Sequence, residues 1–331
     1  MSERRRSQDQ GTDPENVFRD LFVHAAPRVH PPAADAEEIR RVVYGEWDAL
    51  ARGRKRVRRL GALAAAAAVV AAAVLLTVGR QPNAPVEAVA HVERLVGTVH
   101  VIAGGRTLPL QAGDDVARGA TVTTGSGQVG LRLISGGSLR VAAQARVTLT
   151  AANEAELDAG AVYFDSEHAA ARREPFAVVT AFGTLRDVGT QFAVIVDTAR
   201  LEVGVREGRV ALTRRTDSTA VATGEKVTVN GAAIRREPLS TFGADWAWAE
   251  RLAPPFDTDG RRLIEVLEWV AAQTGRTLEF ADATLERTAR ETVLSGSIDL
   301  EPLPKLVAVL AVTDPDLEYS IERDRLLITK N

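Results

Sequence analysis

Between Val92 and Asn230 apolar residues recur at every second position in short runs, with Gly, Asp or Asn between one run and the next. Side chains of an extended chain point alternately to its two faces, so a period of two predicts half-buried strands. The runs fall at Val92–Ile102, Val116–Thr124, Val129–Leu133, Leu139–Val141, Val147–Leu149 and Ala161–Asp165. They continue at Phe176–Thr180, Phe192–Val196, Leu201–Val205, Val210–Thr213 and Val227–Asn230. Leu201, Val203 and Val205 share one face, and Val210 and Leu212 resume it after Glu207-Gly208, which predicts a hairpin. Gly160, Gly183, Gly189 and Gly208 are expected at turns, where backbone geometry rather than a ligand asks for glycine. Many short strands with almost no helical period predict an all-β domain over residues 89–235.

The period then changes. Residues 236–260 read as a connector in which Phe242, Trp246 and Trp248 pack between domains, ahead of Pro254-Pro255. Leu263, Val266, Leu267, Val270 and Ala271 follow the spacing of a helix, with Gly275 at its C-terminal cap. Leu278–Phe280 and Thr292–Ile298 read as strands, and Leu303, Leu306, Val307 and Leu310 as a second helix opened by Pro302 and Pro304. Leu317–Ile321 and Arg325–Thr329 close as a hairpin. Residues 261–331 are thus predicted to be a small α+β domain, two helices on a mixed sheet.

Upstream, Glu15–Ala25 suggests a short amphipathic helix and a second runs from Ala34 to Arg52, with Ile39, Val42, Val43, Trp47 and Leu50 as its apolar stripe. Two readings stay open for residues 1–59: a solvated stalk, or a docking segment whose Ile39, Val43 and Trp47 contact a partner. The stretch Leu60–Gly79 has twenty residues and no charge, nine of them alanine. A helix of that length spans roughly 30 Å, the thickness of a bilayer's hydrocarbon core. Arg52, Arg54, Lys55, Arg56, Arg58 and Arg59 precede it and Arg80 alone follows, which orients the N-terminus to the cytoplasm. The reading is one transmembrane helix in the inner membrane, with the C-terminal bulk outside. A cleaved leader and a soluble alanine-rich helix are the weaker alternatives, the first because 59 residues precede the segment.

Charge follows this division. Residues 1–59 carry 13 Lys/Arg against 10 Asp/Glu, and residues 81–331 carry 27 against 34. The distal part is mildly acidic and does not suit nucleic acid, whereas the basic run suits anionic lipid. The chain has no cysteine, which rules out disulfides, thiolate metal sites and a cysteine nucleophile. His24, His30, His91, His100 and His168 show no metal-ligand spacing. The glycine-rich stretches SGGS and GTLRDVGT lack the Lys-Ser/Thr of a phosphate loop, and no G-x-S-x-G elbow occurs. No catalytic residue, cofactor or metal is expected, and the chain reads as a non-enzyme.

The segments LDAGAVYFD at 157–165, PFAVVTAFGTLRDVGTQFAV at 175–194, LEVGVREGRVAL at 201–212 and ATGEKVTV at 222–229 resemble the FecR family of sigma-factor regulators. Residues 112–149 fit its N-terminal strands, and residues 246–282 with 294–310 resemble the small domain found at the end of such proteins, which is similar to the short N-terminal module of secretins and TonB-dependent receptors. The resemblance implies a multi-domain chain: a single transmembrane helix, an all-β FecR-type domain and a small α+β domain. It implies a relay from the signalling module of an outer-membrane TonB-dependent receptor, in the periplasm, to an extracytoplasmic-function sigma factor in the cytoplasm, in the manner of an anti-sigma factor. The N-terminal part departs from the family in being short, with Trp47 as its one tryptophan. The alternative is a non-catalytic envelope scaffold without a sigma-factor partner.

Overall fold

The computed structural model describes residues 87–166, 174–215 and 217–330. The segment expected over 1–59, with Ile39, Val43 and Trp47, and the expected membrane helix at 60–79 lie outside the described residues. Among the described residues no helix is long and apolar enough to cross a membrane.

Seventeen strands between Ala88 and Pro238 build two sheets. In the first, neighbours run Asp115–Ala117, Ala88–Val96, Gln128–Leu133, Ser138–Val141, Glu154–Asp165, Gln191–Val196, Arg200–Glu207, Glu225–Asn230 and Ala233–Pro238, all antiparallel. In the second they run Arg106–Pro109, His100–Ala103, Thr121–Thr123, Arg146–Ala151, Glu154–Asp165, Ala177–Thr180, Gly183–Asp187, Arg209–Arg214 and Asp217–Ala222. Here the pairing of Glu154–Glu156 with Ala177–Val179 is parallel and the others are antiparallel.

The strand Glu154–Asp165 serves both sheets and changes over at Gly160. Gly160 has a φ of +89°, and a Cβ there would lie 2.5 Å from the Ala145 Cα. The expected turn is therefore replaced by a mid-strand bend, for which glycine supplies the same freedom. Gly183 opens a strand and Gly189 lies in the bend before Gln191. The hairpin expected around Gly208 does not form: Gly208 passes the chain from Arg200–Glu207 in the first sheet to Arg209–Arg214 in the second, so the two strands bury their apolar residues in one core without pairing.

Register aligns the inward residues in rows. Leu131, Leu139, Phe164, Phe192 and Val205 are successive cross-strand neighbours and fully buried. Val129, Val141, Val162, Val194, Val203 and Val227 form a second row. Val122, Val147, Leu157, Val178, Leu185 and Leu212 of the second sheet join the same cluster, so the two sheets close one sandwich core. Phe164 stacks on Phe176 with ring centroids 4.3 Å apart. Each such buried side chain contributes about 1.5–3 kcal/mol.

Four strands were not expected: Gly183–Asp187, which lies inside the second sheet, and Arg106–Pro109, Asp217–Ala222 and Ala233–Pro238. The last three are sheet edges and largely exposed, so they carry no apolar alternation to read, whereas Gly183–Asp187 offers only Leu185 as a buried apolar residue. Two expected strands are each broken in two, Val92–Ile102 near Gly97 and Val116–Thr124 near Gly119.

Beyond Pro238, a single-turn helix α1 (Ala247–Glu250) lies in the connector, followed by α2 (Leu263–Thr274), α3 (Ala283–Glu291) and α4 (Pro302–Thr313). Strand Thr277–Phe280 pairs parallel with Arg325–Lys330, which pairs antiparallel with Leu317–Glu322. The mixed sheet is as expected, but the two-helix domain gains α3. Its sequence offers one apolar pair, Leu285 and Ala289, too little for a periodicity argument. It is capped by Asp282, whose carboxylate accepts from the Thr284 and Leu285 amides. Thr292–Ile298 is irregular, with one bridge between Val293 and Arg262.

Candidate functional site

Part of the face of the first sheet turned away from the sandwich core is also buried, because the connector and the end of α2 lie on it, while Ile195 farther along the same face stays exposed. Cross-strand register sets out its residues in two rows: Ser138, Asp165 and Gln191 in one, and Gly130, Arg140, Tyr163, Ala193 and Gly204 in the other. Ala193 and Gly204 are small and leave a floor for Trp246, which is buried edge-on to Tyr163 at 5.9 Å. A Cβ on Gly204 would meet Leu239 at 2.6 Å and the Trp246 ring at 3.6 Å. The indole Nε1 donates to the Ser240 carbonyl at 2.7 Å.

Two fully buried guanidiniums hold the cover down. Arg140 pairs with Asp165 at 3.3 Å and donates to the Ala249 carbonyl at 2.8 Å and to the Gln273 side-chain carbonyl. Gln273 Nε2 in turn donates to Asp165 Oδ2 at 3.1 Å. Arg206 pairs with Glu250 at 2.6 Å and donates to the Thr241 carbonyl at 2.6 Å and the Gln273 carbonyl at 3.0 Å. Its guanidinium also sits 5.1 Å from the Trp246 ring centroid. The Gln273 carbonyl belongs to the C-terminal turn of α2, where the helix dipole favours a cation. Gly275 ends that helix at a φ of +66°, and a Cβ there would lie 1.9 Å from the Thr241 carbonyl and 2.2 Å from Arg206 Nε. Buried charge is tolerated only when paired and hydrogen-bonded, and here both arginines are. Tyr163 donates to Gln191 Oε1 at 2.9 Å. Burial first, and then the Asp165 charge, push its phenol up to about 12.

The terminal module has its own polar anchor and an open edge. The buried Lys305 amine donates to the Phe256 and Ile298 carbonyls at 2.6 Å each, and desolvation lowers its pKa. Tyr319 and Ile321 stand opposite Ile328 and Leu326, on the core-facing side of the sheet, yet remain exposed. Leu317–Glu322 is an edge strand of that sheet. A separate apolar groove of about 560 Å³ runs along α4, lined by Val293, Leu294, Ile298, Val309 and Val312.

Of the connector aromatics expected to matter, Trp246 is buried on the sandwich's outer face with Tyr163, Ala193 and Ala249, Trp248 packs beside it, and Phe242 lies 5.5 Å from the Arg276 guanidinium. Ile39, Val43 and Trp47 lie outside the described residues. Gly183, Gly189 and Gly208 are backbone positions away from the seam network, as is Gly160. Sequence reasoning missed Arg140, Asp165, Gln191, Arg206 and Gln273. The first four occupy outward strand positions, which a period of two assigns to solvent; the tryptophans of the connector were the one signal that a cover exists.

Residues 120–211 match the family model described as FecR protein, so the chain carries a FecR domain. Two solved structures of a candidate anti-sigma factor from Parabacteroides distasonis ATCC 8503 are similar to the chain, at 14% and 16% identity and TM-scores of 0.34 and 0.32. The similarity covers 64% and 63% of this chain and 99% and 97% of those chains. No curated protein matches.

Proposed function

We propose, on the premise of the FecR domain at 120–211, that the chain is a single-pass inner-membrane regulator. It relays a periplasmic signal from a TonB-dependent receptor to a cytoplasmic extracytoplasmic-function sigma factor. The observation that carries the reading is the FecR domain. The uncharged stretch Leu60–Gly79 and the basic run before it support the topology, and the edge strand Leu317–Glu322 offers the receptor module a place to add a strand. Such a protein works by differing affinity of two states for its partners, and no step of it calls for a catalytic group or cofactor.

The experiment is deletion of the chain with transcript profiling, alongside co-purification of the tagged full chain from membranes. The relay predicts altered expression of one sigma-factor regulon and recovery of a receptor or sigma factor. Unchanged transcription with neither partner recovered overturns it in favour of an envelope scaffold.

A further inference from the structure

Among the described residues the buried apolar side chains fall into separate clusters rather than one interior. The sandwich core and the module core share no residue, and the small cluster of Tyr163, Ala193, Trp246 and Ala249 lies between sandwich and cover. Among the described residues no strand of the module's sheet pairs with the sandwich. What crosses is that one small apolar cluster, with Trp246 against Tyr163 and Ala193, and around it a larger set of polar contacts: Arg94 to Ala253 and Asp299, Arg140 to Ala249 and Gln273, Gln273 to Asp165, and Arg206 to Thr241, Glu250 and Gln273. Cavities of about 260 and 460 Å³ border this network, the first at Asp165, Gln191 and Gln273, the second at Gln191, Arg206 and Gly275. Separating apolar surfaces costs free energy in proportion to area, whereas hydrogen-bonding groups that water rejoins lose little on separation.

We propose that this seam is a releasable joint: the connector and module lift from the first sheet together, while sandwich and module each keep their own core. The proposal deepens the regulator reading, on which its use rests, by supplying the two states a relay needs. A partner strand on Leu317–Glu322 that fits one orientation better than the other shifts the balance between them.

The test exploits the absence of cysteine. Ala249→Cys places the chain's sole thiol in the seam, and Val203→Cys places it in the sandwich core. In the full chain, the joint predicts that iodoacetamide alkylates the first at least ~10-fold faster than the second, because local opening is easier than global unfolding. Adding Arg206→Gln is expected to speed the seam thiol by a further ~10-fold and leave the core thiol unchanged, since breaking one anchor favours the open state alone. Should Ala249→Cys fail to fold, Ala193→Cys reports from the sandwich side of the same cluster. Equal rates in seam and core, or a seam rate indifferent to Arg206→Gln, overturn the joint. No partner takes part in this measurement, so its failure leaves the regulator reading standing, and a missing sigma factor leaves the joint standing.

Discussion

The two faces of the first sheet are made by the same strands and hold opposite chemistry. Inward, Leu139, Phe164, Phe192 and Val205 meet apolar neighbours from the second sheet and need no directional contact. Outward, one residue along, Arg140, Asp165, Gln191 and Arg206 are equally buried, yet each depends on a named partner at a set distance. An apolar core loses stability chiefly by volume; a polar seam loses it chiefly when one partner is left alone. The same buried fraction therefore describes a permanent interior on one side and a specific, separable contact on the other.

The largest break in that comparison comes from the core. Phe164→Ala removes a ring packed on both Phe176 and Phe192 and is expected to cost about 3–5 kcal/mol, read as a lowered urea midpoint of the sandwich. On the outward face, Arg140→Met removes the buried cation that pairs with Asp165 and the donors to Ala249 and Gln273, and is expected to cost about 3 kcal/mol. Replacing the pair together, as Arg140→Met with Asp165→Leu, should recover part of that loss, because both charges of the pair leave the interior at once. No second substitution rescues Phe164→Ala in this way. The pair of urea titrations separates a volume-controlled face from a partner-controlled one.

Tyr163 sharpens the contrast through pH. Its ordinary value is 10.0 and burial raises it to about 12 in the folded chain. The unfolded phenol thus ionises first, so the tyrosine's contribution is intact below pH 10 and is lost as pH rises from 10 to 12. The loss amounts to about 2–3 kcal/mol relative to Tyr163→Phe, measured as the difference between their denaturation midpoints across that range. The smallest effect lies remote from the seam: Asp282→Ala removes the cap of α3 and is expected to cost about 1 kcal/mol, with faster amide exchange confined to Ala283–Glu291.

How much of this was legible follows from what each residue type announces. The sandwich was, because its strands alternate and its core rows are Val, Leu and Phe. Helices α2 and α4 were, because their apolar stripes hold period. Edge strands were not, since an exposed strand need not alternate, and α3 was not, since it buries only Leu285 and Ala289. The seam was legible from one side alone. Trp246 and Trp248 announced a contact, but Arg140 and Arg206 sit where polar residues normally face water, and nothing local distinguishes a covered arginine from a solvated one. The turn expected at Gly160 failed for a related reason: a positive φ reads as a turn from sequence, whereas here it bends one strand between two sheets.

The measurement that tests the regulator most directly is complementation of a deletion strain with the chain lacking residues 1–50. The relay predicts that the truncated chain still recovers its outer partner but no longer restores regulated transcription of the sigma-dependent genes. Full restoration by the truncated chain would contradict it.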